Sequence, residues 1–248
     1  MSWLEDAHQV ARLTHIGFGA LGMLVFWAPI LLRKGGRAHR LAGRVYTWID
    51  VVVLATAAGG AAYYLWTWRL RGLGPREIPA EYAIMLVLAF LTLVSLALLL
   101  QGRGALIARE QPARLRTPLH MGVHILTLAA SIALVIYALA LAPPNALILY
   151  AVSVLGLLTA YDGLSYAAKH AATPAEWVFH HLNGMLGTGI AFYTAFGVFG
   201  AYRLVGISAA EAGWLSALPW LLPALIGVPA TMWWKRRLTR GYLAAHTA

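Results

Sequence analysis

The chain contains seven long apolar stretches, and this feature decides what it can fold into. The stretches cover residues 10–32, 45–68, 80–101, 118–142, 145–168, 177–202 and 213–234. Each stretch is long enough for a helix, which rises about 1.5 Å per residue, to cross a hydrocarbon core of about 30 Å. We therefore expect an all-α, polytopic membrane protein that is a bundle of seven transmembrane helices.

The composition excludes an ordinary soluble domain. Hydrophobic residues make up 60% of the chain and charged residues only 11%, whereas a soluble domain has about 25% charged residues. The net charge of +10 comes from basic residues between the apolar stretches, so we expect the lipid bilayer as partner and no nucleic acid. The absence of cysteine excludes disulfides and cysteine-held metal clusters.

The basic residues also predict an orientation. Fourteen lysines and arginines fall on one side of the predicted membrane and five on the other. By the positive-inside rule, the N-terminus then faces out and the C-terminus faces the cytoplasm of a bacterial inner membrane. All connections are short, so we expect residues 1–248 to form a single domain.

Six ionisable residues within the spans predict a site near the cytoplasmic face. They are Asp50, His120, His124, Asp162, His180 and His181. The helical rise places the deeper ones roughly 6–9 Å below the inner boundary. Ionisable groups at membrane depth are costly and normally face the bundle interior or a functional site.

The spacing of the histidines sharpens this expectation. His120 and His124 are four residues apart and share one helix face. His180 and His181 are adjacent and point about 100° apart, so at most one is expected to face a common centre. Gly184 follows on a small-residue face that admits a neighbouring helix or a flat cofactor. Each feature also has a structural alternative, because single histidines can bond a carbonyl and glycine faces more often pack helices.

The chain resembles a family of predicted bacterial membrane proteins in two segments, KGGRAHRLAGRVYTW and HHLNGMLGTGIAFYTAF. That family is known only as a domain of unknown function, with a His-Arg-x-x-Gly-Arg-x-Tyr signature after the first span. The signature corresponds here to His39, Arg40, Gly43, Arg44 and Tyr46. The resemblance implies a multi-helix inner-membrane protein and supplies no activity.

The first functional hypothesis is a b-type haem for membrane electron transfer or sensing. Such a haem needs axial imidazoles from two helices, small residues beside the macrocycle and cationic partners for its propionates. The residues expected to bind it are His120, His124, His180, His181, Gly184, Arg40 and Arg44.

Two alternatives remain open. A zinc-dependent hydrolase, like the alkaline ceramidases and adiponectin-type receptors, would use His120, His124 and His181 as ligands. Asp162 would be a further metal residue, and either Asp162 or Asp50 would orient the ligands or serve as base. The i, i+4 histidine spacing favours this single ion, whereas the glycines and arginines favour haem, and the sequence leans to haem. The third hypothesis is a non-catalytic accessory subunit bound to other subunits of a respiratory or photosynthetic membrane complex.

Overall fold

The structure, a computed structural model, describes residues 2–173, 176–201 and 218–246, and every regular element in these ranges is helical. The main helices are α1 (Ser2–Leu31), α2 (Arg37–Leu70), α3 (Pro79–Ala108), α4 (Pro118–Leu141), α5 (Ala146–Ala168), α6 (Glu176–Ala195) and α7 (Leu218–His246). A short 3-10 helix, Pro112–Leu115, precedes α4, and a π-helix, Phe196–Ala201, continues α6.

The helices α1 to α6 are each long and apolar enough to cross a membrane. Their outward side chains are also apolar, since Leu24 is 75%, Leu31 80% and Leu147 80% exposed. Such a surface suits lipid as the solvent. The prediction of a helical, multi-pass membrane protein is therefore confirmed with six spans among the described residues. The predicted seventh span begins at residues 213–217, which lie outside the described residues.

Two helices extend well beyond the apolar stretches that predicted them. The second span was expected from residue 45, but α2 begins at Arg37 and carries Arg40 and Arg44 on its first two turns. Similarly, α3 continues past residue 101 to Ala108. Hydropathy marks only the part of a helix inside hydrocarbon, and arginine and leucine are good helix formers that prolong it into the polar boundary.

The described residues fold as two compact units, of which the first comprises Met1–Ala97 and Arg116–Ala168. In this unit α1 packs on α2 and α4 packs on α5. The Nδ1 atom of His15 joins α1 to α2, lying 3.1 Å from the Thr56 hydroxyl. At Gly156 on α5, an added Cβ would lie 2.3 Å from the ring of Phe90, so this glycine permits the close approach of α3 and α5.

The second unit comprises Leu98–Leu115 and Lys169–Ala248. Its α6 and α7 pack so closely that a Cβ at Gly227 would lie 2.5 Å from the side chain of Ile190. The segment before α6 is tied back to the end of α3, because the amide of Ala172 donates to the carbonyl of Glu110 at 3.1 Å. This unit holds His180 and His181, and the first unit holds His120 and His124.

Candidate functional site

The strongest site candidate is the imidazole pair of His120 and His124 on α4. Both side chains are buried, His120 being 4% and His124 0% exposed. Their ring centroids are 4.2 Å apart and the ring planes are tilted by 34°. The predicted shared helix face is thus confirmed, and the pair lies inside the protein rather than against lipid.

The start of α4 fixes the position of this pair. Thr117 caps the helix, its hydroxyl accepting from the amide of His120 at 3.2 Å. Pro118 follows at the first helical position, where the missing N–H would have no partner in any case. The pair therefore occupies the first two turns of a helix whose start is firmly defined.

A hydrogen bond to the backbone orients the ring of His124. Nδ1 of His124 lies 2.8 Å from the carbonyl oxygen of His120, so it carries the hydrogen. The His120 ring lies beside the backbone of Gly163 on α5. The Nε2 atoms of both rings are buried and have no hydrogen-bond partner among the described residues. In neutral imidazole the second nitrogen then carries a lone pair, so Nε2 of His124 is an unsatisfied acceptor beside the ring that holds the second unpartnered Nε2.

Gly163 makes room for the pair. A Cβ there would lie 2.0 Å from Cδ2 and 2.1 Å from Nε2 of His124, which is far inside van der Waals contact. The backbone of α5 therefore forms one wall of the site. Sequence analysis missed this residue, although a glycine beside the predicted site residue Asp162 is the signal that could have revealed it.

Asp162 lies on α5 next to this wall. It is half-buried and close enough to His124 to interact with it electrostatically. Its backbone carbonyl accepts from the Ser165 hydroxyl at 3.2 Å. A carboxylate at this position can balance positive charge that develops on the pair.

The second predicted pair engages α3. Nδ1 of His180 lies 3.0 Å from Nε2 of Gln101, and Nδ1 of His181 lies 2.8 Å from the carbonyl oxygen of Gly102. Adjacent helix positions were expected to diverge, but consecutive residues of α3 hold both rings. Gln101, which is only 2% exposed, was not predicted as a partner because it was interpreted as the end of a span.

Gly184 packs against backbone instead of leaving space for a macrocycle. A Cβ there would lie 2.4 Å from the amide nitrogen of Gly102 and 2.4 Å from the carbonyl oxygen of Leu98. At Gly187 the nearest atoms belong to the Leu98 side chain, at 3.0 Å. The face on which haem clearance was expected is therefore filled by α3, which corresponds to the helix-packing alternative.

The remaining predicted residues lie on α2. Arg40 and Arg44 are exposed, and the Arg40 guanidinium bonds to the carbonyl of Gly35. Asp50 is 1% exposed, and its Oδ2 has no hydrogen-bond partner among the described residues. The two arginines are thus placed at a helix start near the membrane boundary, and Asp50 on the inner face.

The metal hypothesis finds two protein ligands at one place. Within the described ranges, no group of three or more histidine, aspartate and glutamate side chains could hold a metal ion. The His120–His124 pair therefore offers a chelate with two donors, and an ion there would need further ligands from outside these residues.

Comparison of the chain with protein-family models, curated proteins and solved structures found no match. The resemblance to the bacterial family with the His-Arg-x-x-Gly-Arg-x-Tyr signature therefore stays a prediction.

Proposed function

We propose that this protein is a membrane metalloprotein in which the Nε2 atoms of His120 and His124 bind one small transition-metal ion. One observation supports the proposal most directly. The two rings are neighbours, and the buried Nε2 atom of each has no hydrogen-bond partner among the described residues. Each buried acceptor left unsatisfied costs about 1–3 kcal/mol. One ion shared by the two nitrogens would remove both costs.

The donors favour particular ions. Imidazole nitrogen suits zinc, copper, iron and nickel, whereas magnesium and calcium prefer oxygen. Hydrogen bonds from the opposite ring nitrogen are the usual means by which proteins orient ligating histidines, and the ring of His124 has such a bond through Nδ1. Asp162 would offset part of the positive charge of the ion.

Two protein ligands would leave coordination positions open. Structural zinc sites are closed by four protein ligands, whereas catalytic sites keep a position for water or substrate. An open site on the pair would therefore suit binding or activating a small ligand. A hydrolytic reaction with zinc is one such use, and its predicted third histidine, His181, stays a prediction.

A b-type haem with a role in electron transfer or sensing is the second candidate. The tautomer of His124 supports it, since an Nδ1 bound to a carbonyl leaves Nε2 for iron. However, haem iron would take one imidazole of the pair and leave the other buried acceptor without a partner. The filled faces of Gly184 and Gly187 also do not fit a macrocycle. The single ion therefore accounts for more of the geometry.

The cellular setting belongs to the same proposal. The distribution of lysine and arginine supports a bacterial inner-membrane protein with its N-terminus outside and its C-terminus in the cytoplasm. The site would then open near the cytoplasmic leaflet. The role of an accessory subunit in a larger membrane complex stays a prediction.

The proposal is tested on full-length protein purified in a mild detergent. We expect about one transition-metal ion per chain by elemental analysis, and loss of this ion in His120→Gln and His124→Gln. The matched control is His170→Gln, because His170 is exposed and outside the pair. Retention of the metal by both pair variants would refute the site. A Soret band with iron as the bound metal would establish haem instead.

A further inference from the structure

A groove lies at the other end of the first unit, where α2 ends and the chain returns to α3. It has a volume of about 550 Å³. Its lining residues include Leu65, Trp66, Arg69, Leu73, Glu77 and Tyr82. The lining thus combines apolar side chains, two aromatic rings and one side chain of each charge, and it includes neither histidine of the pair.

The groove is lined by one cationic side chain, Arg69, and one anionic side chain, Glu77. No ion pair joins Arg69 and Glu77 among the described residues. Glu77 is instead held in place by the loop, its Oε2 accepting from the amide of Gly74 at 2.8 Å. A groove with a fixed anion and a separate cation is complementary to a ligand that carries both charges.

The aromatic residues near the groove are of the kinds that favour the level of lipid headgroups. Trp66 and Trp68 stand in the last turns of α2, and the ring of Trp68 is 6.2 Å from the ring of Tyr82 at the start of α3. Tryptophan and tyrosine concentrate at the boundary between hydrocarbon and water. A ligand in this groove can therefore keep its acyl chains in the membrane.

We propose that this groove binds a zwitterionic phospholipid with an ammonium-bearing headgroup. Arg69 would bind the phosphate through its guanidinium fork. Glu77 would bind the ammonium group, and the ring faces of Trp66 and Tyr82 would add cation–π attraction. The apolar side chain of Leu65 would contact the start of an acyl chain.

The test uses full-length protein in detergent with two short-chain probes, dioctanoyl-phosphatidylethanolamine and dioctanoyl-phosphatidylglycerol. Binding is followed by tryptophan fluorescence. We expect the ethanolamine lipid to bind about tenfold more tightly than the glycerol lipid. Glu77→Gln should abolish this preference, and Arg69→Gln should weaken the binding of both lipids about tenfold. The control Arg76→Gln changes an arginine of the same loop outside the groove lining and should change neither.

The variants separate recognition from folding. A glutamine at 77 can still accept from the amide of Gly74, so the loop keeps its hydrogen bond. Equal binding of both lipids to the unchanged protein would overturn the proposal, as would a preference that survives Glu77→Gln. Free phosphoethanolamine binding as tightly as the lipid would overturn the assignment of a membrane lipid.

Discussion

Nδ1 of His124 lies 2.8 Å from the carbonyl oxygen of His120, one helical turn earlier. This bond fixes which nitrogen carries the hydrogen and turns Nε2 into an acceptor without a protein partner. The same residue, His120, supplies both the oxygen that orients the ring and the second unsatisfied Nε2. Orientation and ligand capacity are therefore built into one pair of residues.

Metal binding should stabilise the protein only when the pair is intact. A ligand at about 100 times its Kd stabilises a fold by about 2.7 kcal/mol, which corresponds to roughly 5–10 °C in Tm for a chain of this size. We expect such a rise with Zn²⁺, reversed by a chelator, in thermal unfolding of the unchanged protein. The double variant His120→Gln/His124→Gln should show no rise; an equal rise in both proteins would locate the metal elsewhere.

Asp162→Asn should weaken metal binding without abolishing it. The carboxylate acts on His124 through its charge, and changes to such supporting residues typically lower metal affinity by about 10–100-fold. Competition with a chromophoric chelator measures this affinity. A complete loss would make Asp162 a direct ligand, and no change would remove it from the site.

Gly163→Ala should destabilise the first unit. The new Cβ would lie 2.0 Å from the His124 ring, and overpacking of this kind costs about 1–3 kcal/mol. The free energy of unfolding in detergent is the measurement. Gly122→Ala is the matched control, because a Cβ at Gly122 meets nothing within 4 Å; equal losses in the two variants would contradict the packing described here.

Two glycines of α6 should differ in their response to alanine. At Gly184 the added Cβ meets backbone atoms at 2.4 Å, whereas at Gly187 it meets the movable Leu98 side chain at 3.0 Å. We expect a loss of about 2–3 kcal/mol for Gly184→Ala and under about 1 kcal/mol for Gly187→Ala. Unfolding measured on both variants checks the order, and a reversed order would show that α3 and α6 pack differently.

Arg116 should stabilise the end of α5. Its guanidinium donates to the carbonyls of Ala167 at 2.9 Å and Ala168 at 2.7 Å, which otherwise lack helical partners. Because one of these bonds is exposed, we expect Arg116→Gln to cost about 1 kcal/mol of unfolding free energy. Arg114→Gln, at an exposed arginine two residues earlier, should leave this free energy unchanged.

The sequence predicted features that repeat along a single helix. Six spans follow from apolar length, and the shared face of His120 and His124 follows from their i, i+4 spacing. The first residue of a helix was harder to predict, as at Arg37. Hydropathy reports only the part of a helix inside hydrocarbon, and helices continue into the polar boundary. Local periodicity is therefore a good guide within a span and a poor one at its ends.

Contacts between helices could not be predicted from the sequence. Nothing in the pattern around Gly163 says that the ring of His124 fills its missing side chain, and nothing around Gln101 names His180 as its partner. Such contacts depend on helix rotation and on side-chain rotamers, which a single sequence leaves open. For Gly184 the residue type predicted closeness correctly and left open whether a helix or a cofactor was close.

The absence of a side chain at Gly163 couples this position to His124, which is distant in the sequence. While a histidine stands at 124, a larger residue at 163 meets its ring and destabilises the fold, so the tolerance of each position depends on the residue at the other. In natural variants, an alanine or serine at 163 should then be accompanied by a smaller residue at 124.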